Sequence, residues 1–326
     1  MDRRRIVIVG AGLAGAATAF HLRRQGVRDV LLLEREGVAG VHSSGRNASL
    51  LREKVDHHHL QPLATEGAAA LRSGDLGGFR RQGSVLLGLG DTDVSSLVPI
   101  ARGRGLYCPD DGIVDVSQVL ATYLEGQEVR WRSPVTGWRS EPGCIVVSTP
   151  QGEIEAEVLV NAAGAWAGEL GGLPLTPTNR HVFITEPLAG IDPDWPFVWD
   201  VKAGLYFRPE LGGLLLCPCD ETPAAPGAYG DDPGMPALLE GRVRALQPGM
   251  PPYRIAYRWV GQRSFSPDRN LLLGPDPREP RLFHVAALGG HGLTVSFALG
   301  RLAARLLLGQ APVPPEFAVG RVLAAR

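Results

Sequence analysis

The first apolar run of the chain is Ile6-Val7-Ile8-Val9, and it stops on Gly10-Ala11-Gly12-Leu13-Ala14-Gly15. A short β-branched run bounded by glycine predicts a buried strand that ends in a tight turn. Small and apolar residues at helical spacing then predict a helix from Ala14 to Gln25. A second apolar run, Leu31-Leu32-Leu33, ends on Glu34, 19 positions after Gly15. Strand, glycine turn, helix, strand and terminal acid together make a dinucleotide-binding pattern. Gly10, Gly12 and Gly15 permit the turn, the approach of backbone to a pyrophosphate, and close packing of helix on sheet. Leu13 and Ala14 start a helix whose N–H groups and dipole favour phosphate. Glu34 stands where a carboxylate accepts ribose hydroxyls.

Beyond Glu34 the pattern alternates between loop and strand. The glycine- and serine-rich stretch from Gly37 to Gly45 continues into Arg46-Asn47-Ala48-Ser49-Leu50-Leu51. It reads as a second phosphate- or flavin-contacting turn leading into a helix. Residues 62–72 have helical spacing, 82–89 read as a strand, and 91–105 as a short helical connection. A helix is expected from Ser117 to Glu125 with Ser117 as its N-cap. Val129-Arg130-Trp131 and Cys144-Ile145-Val146-Val147 resemble strands of a small meander, and Glu157 to Val160 a buried parallel strand. Several β segments follow between His181 and Leu216, then a Pro-, Gly- and Asp-rich surface loop over 217–236. A last strand, Leu282 to Ala287, runs into Gly289-Gly290-His291-Gly292 and an amphipathic helix from Leu293 to Leu308.

This order places a nucleotide-binding start at one end, a strand–glycine–helix closure at the other, and β-rich sequence between them. The fold class is therefore α/β (α+β overall), a discontinuous Rossmann-like domain with an antiparallel β-sheet-based substrate domain. The expected boundaries are 1–78, 113–172 and 262–326 for the first domain, 79–112 and 173–261 for the second.

Composition narrows the functional classes. The 326 residues carry a formal net charge of −1, which leaves no nucleic-acid footprint. Four cysteines, Cys108, Cys144, Cys217 and Cys219, are too few and scattered for a disulfide framework. His57-His58-His59 cannot turn three consecutive side chains to one metal ion from a helix or strand, so a solvated helix face is the better reading. Arg3-Arg4-Arg5 before an apolar stretch imitates a secretion signal, but three glycines and then His21, Arg23 and Arg24 interrupt it. No stretch approaches the ~20 apolar residues of a membrane span. The expected location is cytoplasmic.

The chain resembles the D-amino-acid oxidase superfamily of FAD enzymes, and within it the D-arginine and related amino-acid dehydrogenases. The resemblance rests on Leu33-Glu34-Arg35-Glu36, His42-Ser43-Ser44-Gly45-Arg46-Asn47 and Val158 to Trp166. It continues through Leu205-Tyr206-Phe207-Arg208-Pro209, Gly261-Gln262-Arg263-Ser264-Phe265 and Ala287 to Gly292. It implies non-covalent FAD held by the glycine start, Glu34, Arg35 and the 42–47 loop. Ala163, Gly164 and Trp166, and Gly289 to Gly292 with Leu293 and Thr294, would complete that site. His42 stands where some relatives tether FAD covalently.

The resemblance also implies an amino-acid-like substrate. Arg180 and Arg263 would clamp its carboxylate, Tyr206 would hydrogen-bond it, and His291 would face the flavin or the substrate. Ser84 stands where the D-arginine enzymes carry an acid that reads a guanidinium, and Val55 where they carry a tyrosine. Leu50 and Leu51 replace neighbouring polar positions. Oxidation of a small or neutral (D-)amino acid is therefore expected. The alternatives are a secondary amine of the glycine or sarcosine type, a 2-hydroxy acid, or a non-catalytic flavin-binding protein. The electron acceptor is not legible in the sequence.

Overall fold

The computed structural model describes residues 2–230 and 232–323. Asp2–Val9 forms the centre of a parallel sheet, pairing with Val30–Leu33 on one side and Gly152–Asn161 on the other. Glu128–Arg130 extends it beyond Val30–Leu33, and Glu279–Ala286 beyond Gly152–Asn161, both in parallel. Leu272–Asp276 closes that edge antiparallel. Strands covered on both faces read as unbroken apolar runs, and Val7, Ile8, Leu31, Leu32, Leu159 and Val160 are fully buried.

Two helices, Leu13–Arg24 and Gly292–Leu307, pack against each other on this sheet. Their contact is made by small residues. A Cβ on Gly300 would come within 2.6 Å of the Ala17 backbone.

The second large sheet is mostly antiparallel. Thr176–Thr185, Gly213–Cys217, Leu205–Glu210, Phe197–Asp200, Ser84–Asp93 and Arg104–Cys108 lie in that order, and Ile255–Phe265 flanks Thr176–Thr185. Phe197–Asp200 and Ser84–Asp93 are its parallel pair. One face, with Phe183, Val198, Phe207 and Leu216, packs on the Met235–Leu246 helix. The other looks toward the parallel sheet. A three-stranded ribbon of Leu50–Leu51, Gly112–Val114 and Phe79–Arg81 lies apart from both.

Four local expectations are corrected. The segment after Arg46 is no helix: Ser49 takes φ 61°, and Leu50–Leu51 pairs with Gly112–Val114. Residues 91–105 hold only the single 3-10 turn Val94–Ser96, because Ser84–Asp93 runs on as strand. Asp115, not Ser117, caps the Val116–Leu124 helix, accepting from Ser117 N–H at 2.9 Å. Glu128–Arg130 joins the parallel sheet, and the meander is Gly137–Glu141, Cys144–Thr149 and Gly152–Asn161.

Candidate active site

A cavity of about 640 Å3 runs between the two large sheets. Its nucleotide end is built by the first strand–turn–helix unit. Gly10 takes φ 101°, and a Cβ on Gly15 would lie 2.0 Å from the Gly10 carbonyl oxygen. Only glycine allows the helix to start that close to the strand. Gly10, Gly12, Leu13 and Ala14 line the cavity, while Gly15 sits behind them as packing. The Leu13–Arg24 helix has no side-chain cap through its N-cap residue Gly12 and no acid in its first turn. Ser44 supplies one acceptor, taking Leu13 N–H at 3.0 Å.

Glu34 and Arg35 line the next stretch. Glu34 accepts Ala11 N–H at 2.9 Å and Glu36 N–H at 3.0 Å, which fixes its carboxylate at the end of its strand. Ser133 N–H reaches the Glu34 carbonyl at 2.8 Å, so residues 133–138 form the wall beyond it. The sequence reading missed this wall. Its only signal is the parallel pairing of Glu128–Arg130 with Val30–Leu33, which no local pattern encodes.

His42, Ser43, Ser44, Arg46 and Asn47 line the middle of the cavity opposite Ala163, Gly164 and Trp166. Gly45 does not face it; a Cβ there would lie 2.1 Å from the Gly40 carbonyl. Gly289, Gly290, Gly292 and Leu293 close the far side, at the start of the Gly292–Leu307 helix, whose N-terminus carries neither side-chain cap nor acid. Thr294 is buried one step inside that helix. His291 is not among the lining residues. Its ring meets His57 edge-on at 5.9 Å. Burial and the Arg52 and Arg263 guanidiniums push it down to about 3, so the imidazole is neutral.

The remaining wall is one face of the antiparallel sheet. Register fixes it: Arg180 opposes Gly261, Val182 opposes Trp259, and Tyr206 opposes both Cys217 and Trp199. Alternate positions on a strand share a face, so Arg180, Val182, Tyr206 and Trp199 all line the cavity. Arg263, opposite Thr178, joins them from the flanking strand. Trp199 packs against Tyr206 with ring centres 4.8 Å apart and planes tilted by 46°, and the buried Arg52 guanidinium lies 4.2 Å over the Trp199 ring. Ala48 and Leu50 complete an apolar surround. Trp199 and Arg52 were invisible in the sequence, since neither belongs to a spaced motif.

The electrostatics of this end are lopsided. Arg180 Nη2 meets Glu221 Oε1 at 3.0 Å, but its buried Nε has no partner among the described residues. No carboxylate among the described residues pairs with Arg263. Burial and the neighbouring Arg180 charge hold its pKa below the ordinary arginine value. Burial also opposes the charge of Arg180, yet Cys217, Cys219, Tyr206 and Glu221 outweigh it and raise its pKa. Cys217, beside both guanidiniums, is drawn down despite its burial, mainly by Cys219 and then by the arginines. Tyr206 is held above the ordinary phenol value by burial first, so its O–H remains a donor. Two guanidiniums share a small apolar chamber, and one buried donor is unmatched. Such a chamber takes up an anion.

Ser84 and Val55 lie elsewhere. Ser84 donates to Asp111 Oδ2 at 2.6 Å and is fully buried outside the cavity lining. Val55 packs in the core of the parallel-sheet unit. Among the described residues, no group of three or more His, Cys, Asp or Glu is placed to hold a metal ion. The His58 and His59 rings pack against each other at 3.8 Å, tilted by 42°.

Fold and cavity are those of a dinucleotide-binding protein with an anion-seeking chamber at one end. The chain matches the FAD dependent oxidoreductase family over residues 5–306, and it belongs to that family. Dimethylglycine dehydrogenase of Rattus norvegicus is 27% identical over 378 residues, covering 95% of this chain and 44% of that protein. Glycine oxidase from Geobacillus kaustophilus superposes with a TM-score of 0.83 at 24% identity, over 98% of this chain and 99% of that one. L-proline dehydrogenase from P. horikoshii gives 0.85 at 20% identity, over 97% and 96%. The chain spans less than half the length of the dimethylglycine dehydrogenases it matches.

FAD is the cofactor of the family, and the residues present fit it. Two helix N-termini reach the cavity, one beside the Gly10–Gly12 turn, where Ser44 Oγ takes the Leu13 N–H, and one at Gly292, whose N-cap residue makes no side-chain bond. Both favour negative charge, as a pyrophosphate and the pyrimidine edge of a reduced flavin require. No helix among the described residues is long and apolar enough to cross a membrane.

Proposed function

We propose that the protein oxidises the amine of a small, neutral amino acid. The observation that carries this reading is the Arg180–Arg263 pair, with the unmatched Arg180 Nε, next to the Gly289–Gly292 turn. A planar guanidinium fork meets a carboxylate bidentately, and Tyr206 adds a neutral donor. FAD, when bound, supplies the two-electron acceptor.

The chain's own residues do the rest. Arg180, Arg263 and Tyr206 hold the carboxylate, which fixes the Cα relative to the turn at 289–292. Trp199, Val182, Ala48 and Leu50 keep water from that carbon and leave a cationic side chain without a counter-charge. The two guanidiniums disfavour an ammonium beside them, so the substrate amine is held neutral. It then loses hydride from Cα, and the resulting imine hydrolyses to an oxo acid and ammonia or amine. The N-terminus of the Gly292–Leu307 helix meets the negative charge that develops.

The second reading is a secondary or tertiary amine of the N-methylglycine type. It is favoured by the 27% identity to a protein named dimethylglycine dehydrogenase. The D-configured substrate rests on the sequence resemblance. The test is anaerobic reduction of the bound flavin by a panel of glycine, N-methylglycines, D- and L-alanine, D-arginine and lactate. Bleaching by small neutral amino acids supports the first reading and bleaching by N-methylglycines alone the second; bleaching by lactate alone, or best by D-arginine, overturns both.

A further inference from the structure

The segment 224–229 crosses from the antiparallel sheet to the cofactor loop. Its backbone is pinned to two cavity strands: Ala224 N–H to the Pro177 carbonyl at 3.0 Å, and Gly227 N–H to Gln262 Oε1 at 2.8 Å. Gln262 Nε2 returns a bond to the Ala225 carbonyl at 2.8 Å, and Asn179 Nδ2 one to the Ala228 carbonyl at 3.0 Å. The segment ends at Tyr229, which leaves the sheet and meets the 36–46 loop.

There Tyr229 makes three contacts. Its hydroxyl lies 2.6 Å from His42 Nδ1, its ring stacks on the His42 ring at 5.9 Å, and the Arg46 guanidinium sits 4.2 Å above it. His42 Nε2 lies 2.9 Å from Glu36 Oε1. A carboxylate only accepts, so Nε2 carries a proton, and in the neutral ring Nδ1 then accepts from Tyr229 O–H. Both imidazole nitrogens are thereby committed, and neither is free to attack a flavin. The other side of His42 packs edge-on against Trp166 at 4.6 Å. His42, Arg46 and Trp166 line the cavity; Tyr229 stands behind them.

We propose that Tyr229 is a positioning residue for FAD, acting through His42 and Arg46 to hold the cavity wall closed so that the cofactor is retained without a covalent bond. The hydrogen-bond chain Tyr229–His42–Glu36, with the Arg46–Tyr229 contact beside it, ties the strand-pinned segment to the 36–46 loop. Breaking it loosens the loop at His42, while Ser44 on Leu13 N–H and Arg46 on the Val260 carbonyl still anchor it further along, and lets FAD leave faster.

The experiment is the rate of FAD release from the holoprotein, followed by recovery of flavin fluorescence after dilution. Tyr229→Phe removes the hydroxyl alone and is expected to release FAD about five- to tenfold faster, the effect of one hydrogen bond. His42→Gln combined with Tyr229→Phe is expected to add little beyond either single change, because both cut one chain. Tyr257→Phe, on the exposed face, serves as the unchanged control. Release at the wild-type rate in Tyr229→Phe overturns the proposal, and so does full additivity of the two substitutions. Yellow colour that stays with acid-precipitated wild-type protein overturns it as well.

Discussion

Arg180 and Arg263 lie one diagonal step apart on the ladder between Thr176–Thr185 and Ile255–Phe265, Arg180 opposite Gly261 and Arg263 opposite Thr178. Opposed positions share a face, so two like charges are held on one wall of a small chamber. Like charges so placed repel unless an anion joins them, and Glu221 serves only Arg180 and the surface Arg269. Arg263→Met is accordingly expected to lower kcat/KM by about 2–5 kcal/mol, carried mainly by KM. Steady-state kinetics of the variant beside wild type checks this; an unchanged KM would remove Arg263 from the clamp.

Gly15→Ala places a methyl 2.0 Å from the Gly10 carbonyl oxygen, where neither backbone can give. The helix must back away from the strand, opening the phosphate turn. The purified variant is expected to be colourless or nearly so, with at least about tenfold weaker FAD binding by fluorescence quenching. Stoichiometric FAD at wild-type affinity would contradict it.

The glycine start, Glu34 and the order of strands and helices were legible because each is written within a few residues. What failed locally failed for a physical reason. Leu50 and Leu51 look helical, yet Ser49 at φ 61° and pairing to residues 112–113 turn them into strand. The pairing partner of Glu128–Arg130 lies some hundred residues away in sequence, and nothing in Val129-Arg130-Trp131 announces it. Arg180 and Arg263 could be named from resemblance, but their shared face is a property of register. Trp199 enters through strand register, Arg52 through its place over the Trp199 ring, and Tyr229 through its bond to His42, none of which has a spacing to read.

Ser84 was read as a specificity position, and in the folded chain it serves a buried carboxyl. Asp111 is raised by burial and steadied by Ser84 Oγ at 2.6 Å and Glu53 N–H at 3.0 Å. Ser84→Ala is expected to cost about 1–3 kcal/mol of stability, the penalty for depriving a buried acceptor. The order of preference among substrates should not move. Thermal unfolding and the substrate panel together check this; a changed preference with an unchanged Tm would restore Ser84 to the pocket.

His21 predicts acid lability. Burial first, then Arg24 and Arg301, push it from 6.5 to about 4. Its Nε2 has no partner among the described residues. The folded state thus prefers the neutral ring, and the unfolded chain binds the extra proton. Stability is complete above about pH 6.5 and is lost as the pH falls toward 4, by on the order of 3 kcal/mol from this group. His21→Met should flatten that part of the Tm–pH curve, and a curve parallel to wild type would show that His21 does not titrate on unfolding.

The central claim is that a substrate carboxylate, held by Arg180 and Arg263, presents its amine to bound FAD. The most direct measurement is anaerobic reduction of the flavin by N-methylglycine and by alanine, each beside the same amine lacking the carboxylate, dimethylamine and ethylamine. The account predicts bleaching by at least one carboxylate-bearing member, none by its partner at equal concentration, and loss of that bleaching in Arg263→Met. Equal bleaching with and without the carboxylate, or full bleaching by the variant at wild-type affinity, would contradict it.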